Sequence, residues 1–406
     1  MARKVPTRIS FIVSMDHMRS ASAHIESPGA FLAPDPAYLD GDGVPGMVSI
    51  VVPTHDRARI VGAAIKSVLA QTYQNVEVIV VDDGSTDDTR SVVERCGPRV
   101  RYLYQPNSGV SSARNLGFAN ARGEFIALLD SDDEFLPWKL EAQVRLLQAH
   151  PDVGMVWTDM TAVSADGRVI EQRYLRTFYG AHALARIEQV LEGTGALEGI
   201  WVEAPADVAT APTYKGDLFS SMLLGNLVHT STVVLRRDRL RMGGGFDTSL
   251  THSGEDYEFH LRTCSHGAVA FIDAPSLLYR VGAADQLTAP AYNIYIARNN
   301  LTTVLRWLEL GRGRINLPEY RLQRRLAVSF RWVGEAELER GDRRAARTHL
   351  MRSLRHAPRD TRTAMLLIFA ALPPAALRTA RAVKRGYRRT VARASSSATP
   401  SRPQRA

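Results

Sequence analysis

The chain has 406 residues, 45% hydrophobic and 23% charged, with a formal net charge of +9. Such a composition suits two or three globular domains and excludes a disordered or fibrous chain. The charge is local: from Thr361 onward there are ten Lys or Arg and no Asp or Glu, which leaves the first 360 residues near −1, so a nucleic-acid-binding face on the body has no support.

Residues 1–46 lack periodicity and are dotted with Pro, Gly and Ser, which predicts a poorly ordered extension. Its short apolar run, Ile9 to Val13, is soon interrupted by Asp16 and His17 and makes a poor secretory signal. Met47–Val52 and Val76–Val81 are continuous apolar runs, the pattern of strands buried on both faces of a parallel sheet. Between them Val61, Ala64, Ile65, Val68 and Leu69 carry helical spacing. After the second run, Ser85-Thr86-Asp87-Asp88 has the spacing of a capping box and predicts a helix over Val92, Val93 and Cys96. A third strand at Val100–Tyr104 and a helix through Ala113, Leu116 and Ala119 follow.

Phe125–Leu129 reads as another buried strand, and it ends in Asp130-Ser131-Asp132-Asp133-Glu134, four acids in five positions. Carboxylates crowded at a strand end repel one another unless a cation sits among them. A hard divalent ion with oxygen ligands fits, and so does a solvated acidic turn or helix cap. A helix over Leu140, Val144 and Leu147 and a strand at Val153–Trp157 complete an alternating β-α pattern. That alternation predicts an α/β fold, a mostly parallel sheet with helices on both faces. Ligands bind such sheets outside the C-terminal strand ends. Thr54 and Asp56, Asp82 and Asp83, and Asp130 and Asp132 all fall there. Neither G-x-G-x-x-G nor a G-x-x-x-x-G-K-[ST] loop follows the first strand, which disfavours an ordinary dinucleotide or P-loop site.

Residues 158–225 are irregular and predict a long loop region with some helix, a candidate lid or acceptor-facing element. Leu227–Leu235 is strand-like, Gly243–Asp247 a turn, and Glu255–Arg262 a helix start with acids at the favourable end of the dipole. Val269–Ile272 and Leu277–Arg280 read as two short strands, and residues 292–358 as helical, with a hairpin about Gly341-Asp342 that resembles one tetratricopeptide unit. Ala364–Leu377 is apolar, but its 14 residues and Pro373-Pro374 fall short of the about 18 needed to span a bilayer. With the basic run behind it, it suits either an anionic membrane surface or a solvated tail. Cys96 and Cys264 show neither disulfide nor metal spacing and fit a reducing compartment.

Five stretches, Val48–Arg57 (VSIVVPTHDR), Val80–Ser85 (VVDDGS), Ser112–Gly117 (SARNLG), Leu129–Asp133 (LDSDD) and Gly254–Tyr257 (GEDY), together resemble the ordered motifs of family 2 inverting glycosyltransferases. The likeness spans about Met47 to Thr288. It implies a GT-A-type catalytic domain over residues 47–290; the residues beyond it read by themselves as a helical extension over 291–360 and an apolar segment with a basic tail over 361–406. It also implies transfer from a nucleotide diphosphate sugar to a hydroxyl of a sugar, lipid-linked or protein acceptor, with Mg²⁺ or Mn²⁺, in cell-surface polysaccharide or glycolipid synthesis. The competing reading is a non-catalytic nucleotide-sugar-binding or scaffold protein on the same fold.

Carried over by position, Pro53, Thr54 and Asp56 belong to the nucleoside pocket, with Asp82 or Asp83 as partner of base or ribose. Arg114 is a candidate diphosphate contact. Asp130 resembles the first acid of D-x-D and Asp132 the last, the direct metal ligand. Asp256 resembles the general base, with Glu255 beside it; a helix-start acid paired with Arg262 is the bland rival. His229 reads as a satisfied strand-end histidine, Trp138 and Trp157 as core, and Trp201 as a sugar-stacking group or a loop anchor. Two departures stand out: His55 where the family often has Tyr, and VGAADQ at 281–286 where it often has a His near the phosphates. The expected setting is a cytoplasmic enzyme held peripherally at the inner membrane face, with no nucleic-acid partner.

Overall fold

The computed structural model describes residue 39, residues 41–282 and residues 290–372. Most of the expected N-terminal extension, residues 283–289, and the tail from Pro373 onward lie outside the described residues.

Four strands, β1 (Val44–Thr54), β2 (Val76–Asp83), β3 (Val100–Gln105) and β4 (Gly123–Leu128), pair in parallel in the order β3-β2-β1-β4. They are joined through α1 (Val61–Leu69), α2 (Thr89–Glu94) and α3 (Val110–Asn120). The chain steps outward from β1 to β3 and then returns to the other side of β1. Right-handed crossovers therefore place α1 and α2 on one face and α3 on the opposite face. With both faces covered, β1 shows no apolar–polar alternation; Val48, Ile50, Val51 and Val52 are all fully buried. Helix α3 lies so close to β1 that a Cβ on Gly117 would stand 2.2 Å from Val51 Cγ1, which explains the glycine in SARNLG. Asn115 of the same motif bonds both backbone groups of Phe246, at 2.9 and 2.7 Å, and pins the turn after Gly243.

Beyond β4 the β-α alternation breaks and antiparallel strands enter the sheet. A two-residue strand β5 (Glu134–Phe135) and helix α4 (Lys139–Ala149) precede β6 (Met155–Val163). Between β4 and β6 lies β10 (Val234–Arg236), antiparallel to both. Only these three residues, of which Val234 and Leu235 belong to the predicted 227–235 strand, pair in the sheet. His229 Nδ1 accepts from the Ser231 N–H at 3.3 Å and turns Thr230–Thr232 into a 3-10 helix. The two short strands expected after residue 269 are one, β11 (Val269–Arg280), parallel to β6 with register shifts at Pro275. The irregular stretch after β6 is more ordered than a loop. It holds β7 (Val169–Glu171), single-turn helices at Leu175–Phe178, His182–Ala185 and Ile187–Val190, and β8 (Glu192–Ala196) and β9 (Pro212–Gly216), which extend the sheet beyond β11. Trp201 is a loop anchor, 6% exposed with Arg145 over its ring.

The predicted capping box is not formed. Ser85 Oγ accepts from the Asp56 N–H 29 residues away, and α2 starts four residues later with no side-chain cap. After α5 (Glu255–Cys264) and β11 come α6 (Asn293–Leu310), α7 (Glu319–Arg340), α8 (Arg343–His356) and α9 (Thr361–Ala371). Helices α7 and α8 pack as a hairpin about Gly341, whose φ of 89° suits a glycine C-cap, and Asp342 caps α8 through Ala345 N–H at 2.9 Å. The helical extension rests on the sheet domain: Trp307 Nε1 donates to Glu258 and Arg306 to Asp247 at 2.9 Å.

Candidate active site

A cavity of about 520 Å³ opens at the C-terminal ends of β1, β2 and β4, where the strand order reverses. Its polar end is lined by Pro53, Thr54, Asp56, Arg57, Asp83 and Asn107, its middle by Arg114, Asp130 and Asp132, and its far end by aromatic side chains with Glu255 and Asp256. Nine of the ten predicted site residues thus border one space; Asp82 does not.

The adjacent acids after β2 have different roles. Asp82 Oδ1 accepts from Ser85 N–H at 2.8 Å and Oδ2 from Tyr102 O–H at 2.7 Å, away from the cavity. Asp83 lines the cavity and accepts from Gln105 Nε2 and from the backbone of Ser108 and Gly109, so it holds the start of α3 in place. Thr54 Oγ1 is buried without a protein partner at the cavity wall. Asp56 sits at φ 51°, an unusual value for a residue other than glycine. Its Oδ1 accepts from Thr86 N–H at 2.7 Å, and that bond holds the carboxyl below its ordinary pKa.

Arg114 is not a free phosphate ligand. It is 3% exposed, and its two terminal nitrogens donate to Asp130 Oδ1 and Glu255 Oε1, both at 2.7 Å. Its guanidinium lies 4.8 Å from the Phe246 ring centroid. Burial works against its charge, but the two carboxylates hold its pKa above the ordinary value. One cation therefore ties the end of β4 to the start of α5.

The acidic cluster has a donor set suited to a hard cation. Single ligand atoms of Asp130, Asp133 and His229 lie within 4.8 Å of one another. Asp133 is 1% exposed and its Oδ2 has no hydrogen-bond partner; burial, then Asp132 and Asp130, push its pKa well up. A buried orphan carboxylate oxygen among other acids fits an oxygen-binding divalent ion. His229 fits less well as a ligand. Its Nδ1 accepts the Ser231 N–H, so the neutral ring carries its proton on Nε2. Burial lowers its pKa to about 4. The carboxylates are the residues that could hold the metal, with Asp133 added to the predicted Asp130 and Asp132.

Asp256 stands at the first turn of α5, half-buried at the cavity wall. Its Oδ2 accepts from Tyr179 O–H at 3.2 Å and Asn226 Nδ2 at 3.0 Å. Burial and then Glu255 raise its pKa to about 7. Arg262, the partner in the rival reading, instead bonds Glu258 at 2.8 Å. A carboxylate tuned to the neutral range, held by two donors and facing an open cavity, can take a proton from a bound hydroxyl.

Sequence reasoning missed Tyr179, Asn226 and the aromatic wall. Phe178 meets Tyr179 edge-on at 4.7 Å and Tyr279 at 5.4 Å, and Tyr279 meets His229 at 4.9 Å. Phe178 and Tyr179 come from the irregular insertion, where no motif marked them. Asp133 was visible inside LDSDD, and its burial singles it out.

Residues 49–197 match the family model described as Glycosyl transferase family 2. That segment carries the family 2 signature. The chain is 38% identical over 135 residues to an uncharacterized glycosyltransferase of Rickettsia felis, covering 33% of this chain and 22% of that protein. It is 34% identical over 131 residues to the chondroitin synthase of Pasteurella multocida, covering 32% and 14%. The chain thus spans about a fifth or less of these two relatives' length. Among solved structures, Staphylococcus aureus TarS 1–349 superposes with a TM-score of 0.47 at 18% identity, covering 79% of this chain and 83% of that one. The architecture is the expected class: a mostly parallel sheet core with flanking helices and a helical C-terminal region.

Proposed function

We propose that this chain is an inverting glycosyltransferase that moves a sugar from a nucleotide diphosphate sugar to an acceptor hydroxyl. The observation that carries this reading is Asp256, raised to about 7 and facing the same cavity as the acids at the ends of β2 and β4. Asp256 accepts the proton of the acceptor hydroxyl while that oxygen forms a bond to the anomeric carbon. The bond from that carbon to the diphosphate oxygen breaks, and its electron pair leaves with the diphosphate. Attack opposite the leaving group inverts the centre. Tyr179 and Asn226 orient the base, and Arg114 fixes Glu255 and Asp130 at a set distance across the cavity. Pro53, Thr54, Asp56 and Asp83 shape the nucleoside end. A non-catalytic binding protein would have no need of a carboxyl so tuned.

Asp130, Asp132 and Asp133 would hold Mg²⁺ or Mn²⁺, which when bound supplies charge stabilisation for the departing diphosphate. The deciding experiment incubates purified protein with a panel of nucleotide sugars and Mg²⁺ or Mn²⁺ and measures nucleoside diphosphate release. Release should stop in excess chelator. Asp133→Asn should weaken Mn²⁺ binding by about tenfold or more in calorimetry while the protein stays folded. Release from no donor would reject the transferase reading, and unchanged Mn²⁺ affinity would reject Asp133 as a ligand.

The acceptor would belong to cell-surface polysaccharide or glycolipid synthesis, a reading supported by the similarity to a chondroitin synthase. No helix of the described residues is long and apolar enough to cross a membrane. Helix α9 nonetheless exposes Met365, Ile368 and Phe369, and the basic tail follows it in sequence. Peripheral attachment to an anionic surface follows if both act together, at about 1 kcal/mol per cation. Full-length protein should pellet with anionic vesicles at low salt and release at high salt. A chain ending at Asp360 should stay in solution; equal pelleting of the two would remove the tail from the membrane contact.

A further inference from the structure

The two ends of the cavity differ in charge chemistry. Both arginines in its lining stand away from the aromatic end or are already committed: Arg57 lies at the nucleoside end, and Arg114 is bound to Asp130 and Glu255. Near Asp256 the described lining brings Arg114, whose two terminal nitrogens are committed to Asp130 and Glu255. That end is built from Phe178, Tyr179, Tyr279 and Tyr292, with Asp256 as the carboxylate that stands outside the Arg114 ion pairs.

The outer rim continues this surface. His252 is exposed, has a φ of 72°, and packs 4.1 Å from Tyr295 and 6.3 Å from Tyr292, centroid to centroid. Its loop is clamped to α6 by Asn299, whose Nδ2 donates to Thr251 O at 3.0 Å and Ser253 O at 2.7 Å. His252 lies in the loop that leads directly into α5 and Asp256, so the rim sits at the approach to the base.

We infer that the acceptor end of this cavity is a subsite for an uncharged pyranose, made by Tyr292, His252 and the inner aromatic wall, and that it selects against acidic sugars and phosphorylated acceptors. This rests on the transferase reading for the name acceptor, but the binding preference stands on the lining itself. The C–H face of a pyranose packs on aromatic rings while its hydroxyls meet Asp256 and water. A uronate or phosphate brought there meets the Asp256 carboxylate, which has no ion-pair partner of its own among the described residues, while Arg114 is already bound to Glu255 and Asp130. That repulsion is the element that sets specificity.

Saturation-transfer NMR on the full chain tests this without turnover. The probes are the methyl glycosides of glucose, galactose and N-acetylglucosamine beside methyl glucuronide and methyl galacturonide, each with and without UDP and Mg²⁺. At least one neutral glycoside should bind about tenfold or more tightly than the matching uronide. Tyr292→Ala and His252→Ala should each weaken that neutral glycoside by about fivefold or more, with thermal unfolding unchanged for the exposed His252 variant. Asp256→Asn should narrow the gap between glucoside and glucuronide. Uronide binding as tight as the neutral sugar, no neutral binding, unaltered binding in both aromatic variants, or an unchanged gap in Asp256→Asn would each overturn the inference. Neutral-sugar binding without nucleoside diphosphate release from any donor would sink the transferase reading alone.

Discussion

Asp256→Asn should bind a nucleoside diphosphate normally and yet lose about 10²- to 10⁴-fold in turnover, the range expected for a positioned general base. The amide keeps the volume and can still meet Asn226 or Tyr179, but it cannot accept the acceptor's proton. In the unaltered protein, kcat/KM should fall about tenfold per pH unit below about 7, because the base must be unprotonated and burial with Glu255 raises its pKa to that value. Tyr179→Phe removes one donor to the carboxylate and should move this limb to higher pH. Stability runs the other way. A carboxyl whose folded pKa lies above its ordinary 3.8 favours the fold below about 4, and that contribution is lost as pH rises through about 7. Activity and this part of the stability therefore pull apart across the same window. Calorimetry with the diphosphate beside a transfer assay checks the first claim; near-normal turnover in Asp256→Asn would remove Asp256 from the mechanism.

Arg114→Leu should destabilise the protein by about 3–5 kcal/mol, the cost of removing one partner from a buried ion pair. Glu255 is 5% exposed and Arg114 donates to it at 2.7 Å; Asp130 loses the same support. Arg114→Lys should recover little, since a single ammonium cannot present two nitrogens to carboxylates on different elements. Pairing Arg114→Leu with Glu255→Gln should restore part of the loss, because one orphaned charge is gone. Urea unfolding at pH 7 compares these variants with the unaltered protein. A loss under about 1 kcal/mol in Arg114→Leu would show that solvent or rearrangement replaces the guanidinium.

The parallel core was legible in the sequence because its strands are buried on both faces and read as unbroken apolar runs. The rest was hidden where a distant partner overrides a local pattern. Ser85 looks like a helix cap until Asp56 N–H takes its oxygen. Leu227–Leu235 looks like one strand until His229 and Ser231 curl its first half. The acids after β1, β2 and β4 announce a site edge because strand ends gather on one side of a parallel sheet. Which of Asp82 and Asp83 faces the cavity depends on where Tyr102 and α3 fall, and two adjacent identical letters cannot say. Tyr179 and Asn226 reach Asp256 from 77 and 30 residues away through a stretch with neither period nor motif.

Asn299 belongs to the helical extension, yet it fastens the loop that leads into Asp256, and Tyr292 at the start of that extension lines the cavity. The aromatic end of the cavity is thus assembled from both the sheet domain and the helical extension. Substitutions in the C-terminal helices can therefore reshape the cavity mouth while the strand-end carboxylates stay untouched. Exchanging the segment after β11 would replace Tyr292 and the Asn299 clamp while His252, Phe178, Tyr179, Tyr279 and the strand-end carboxylates stay in place.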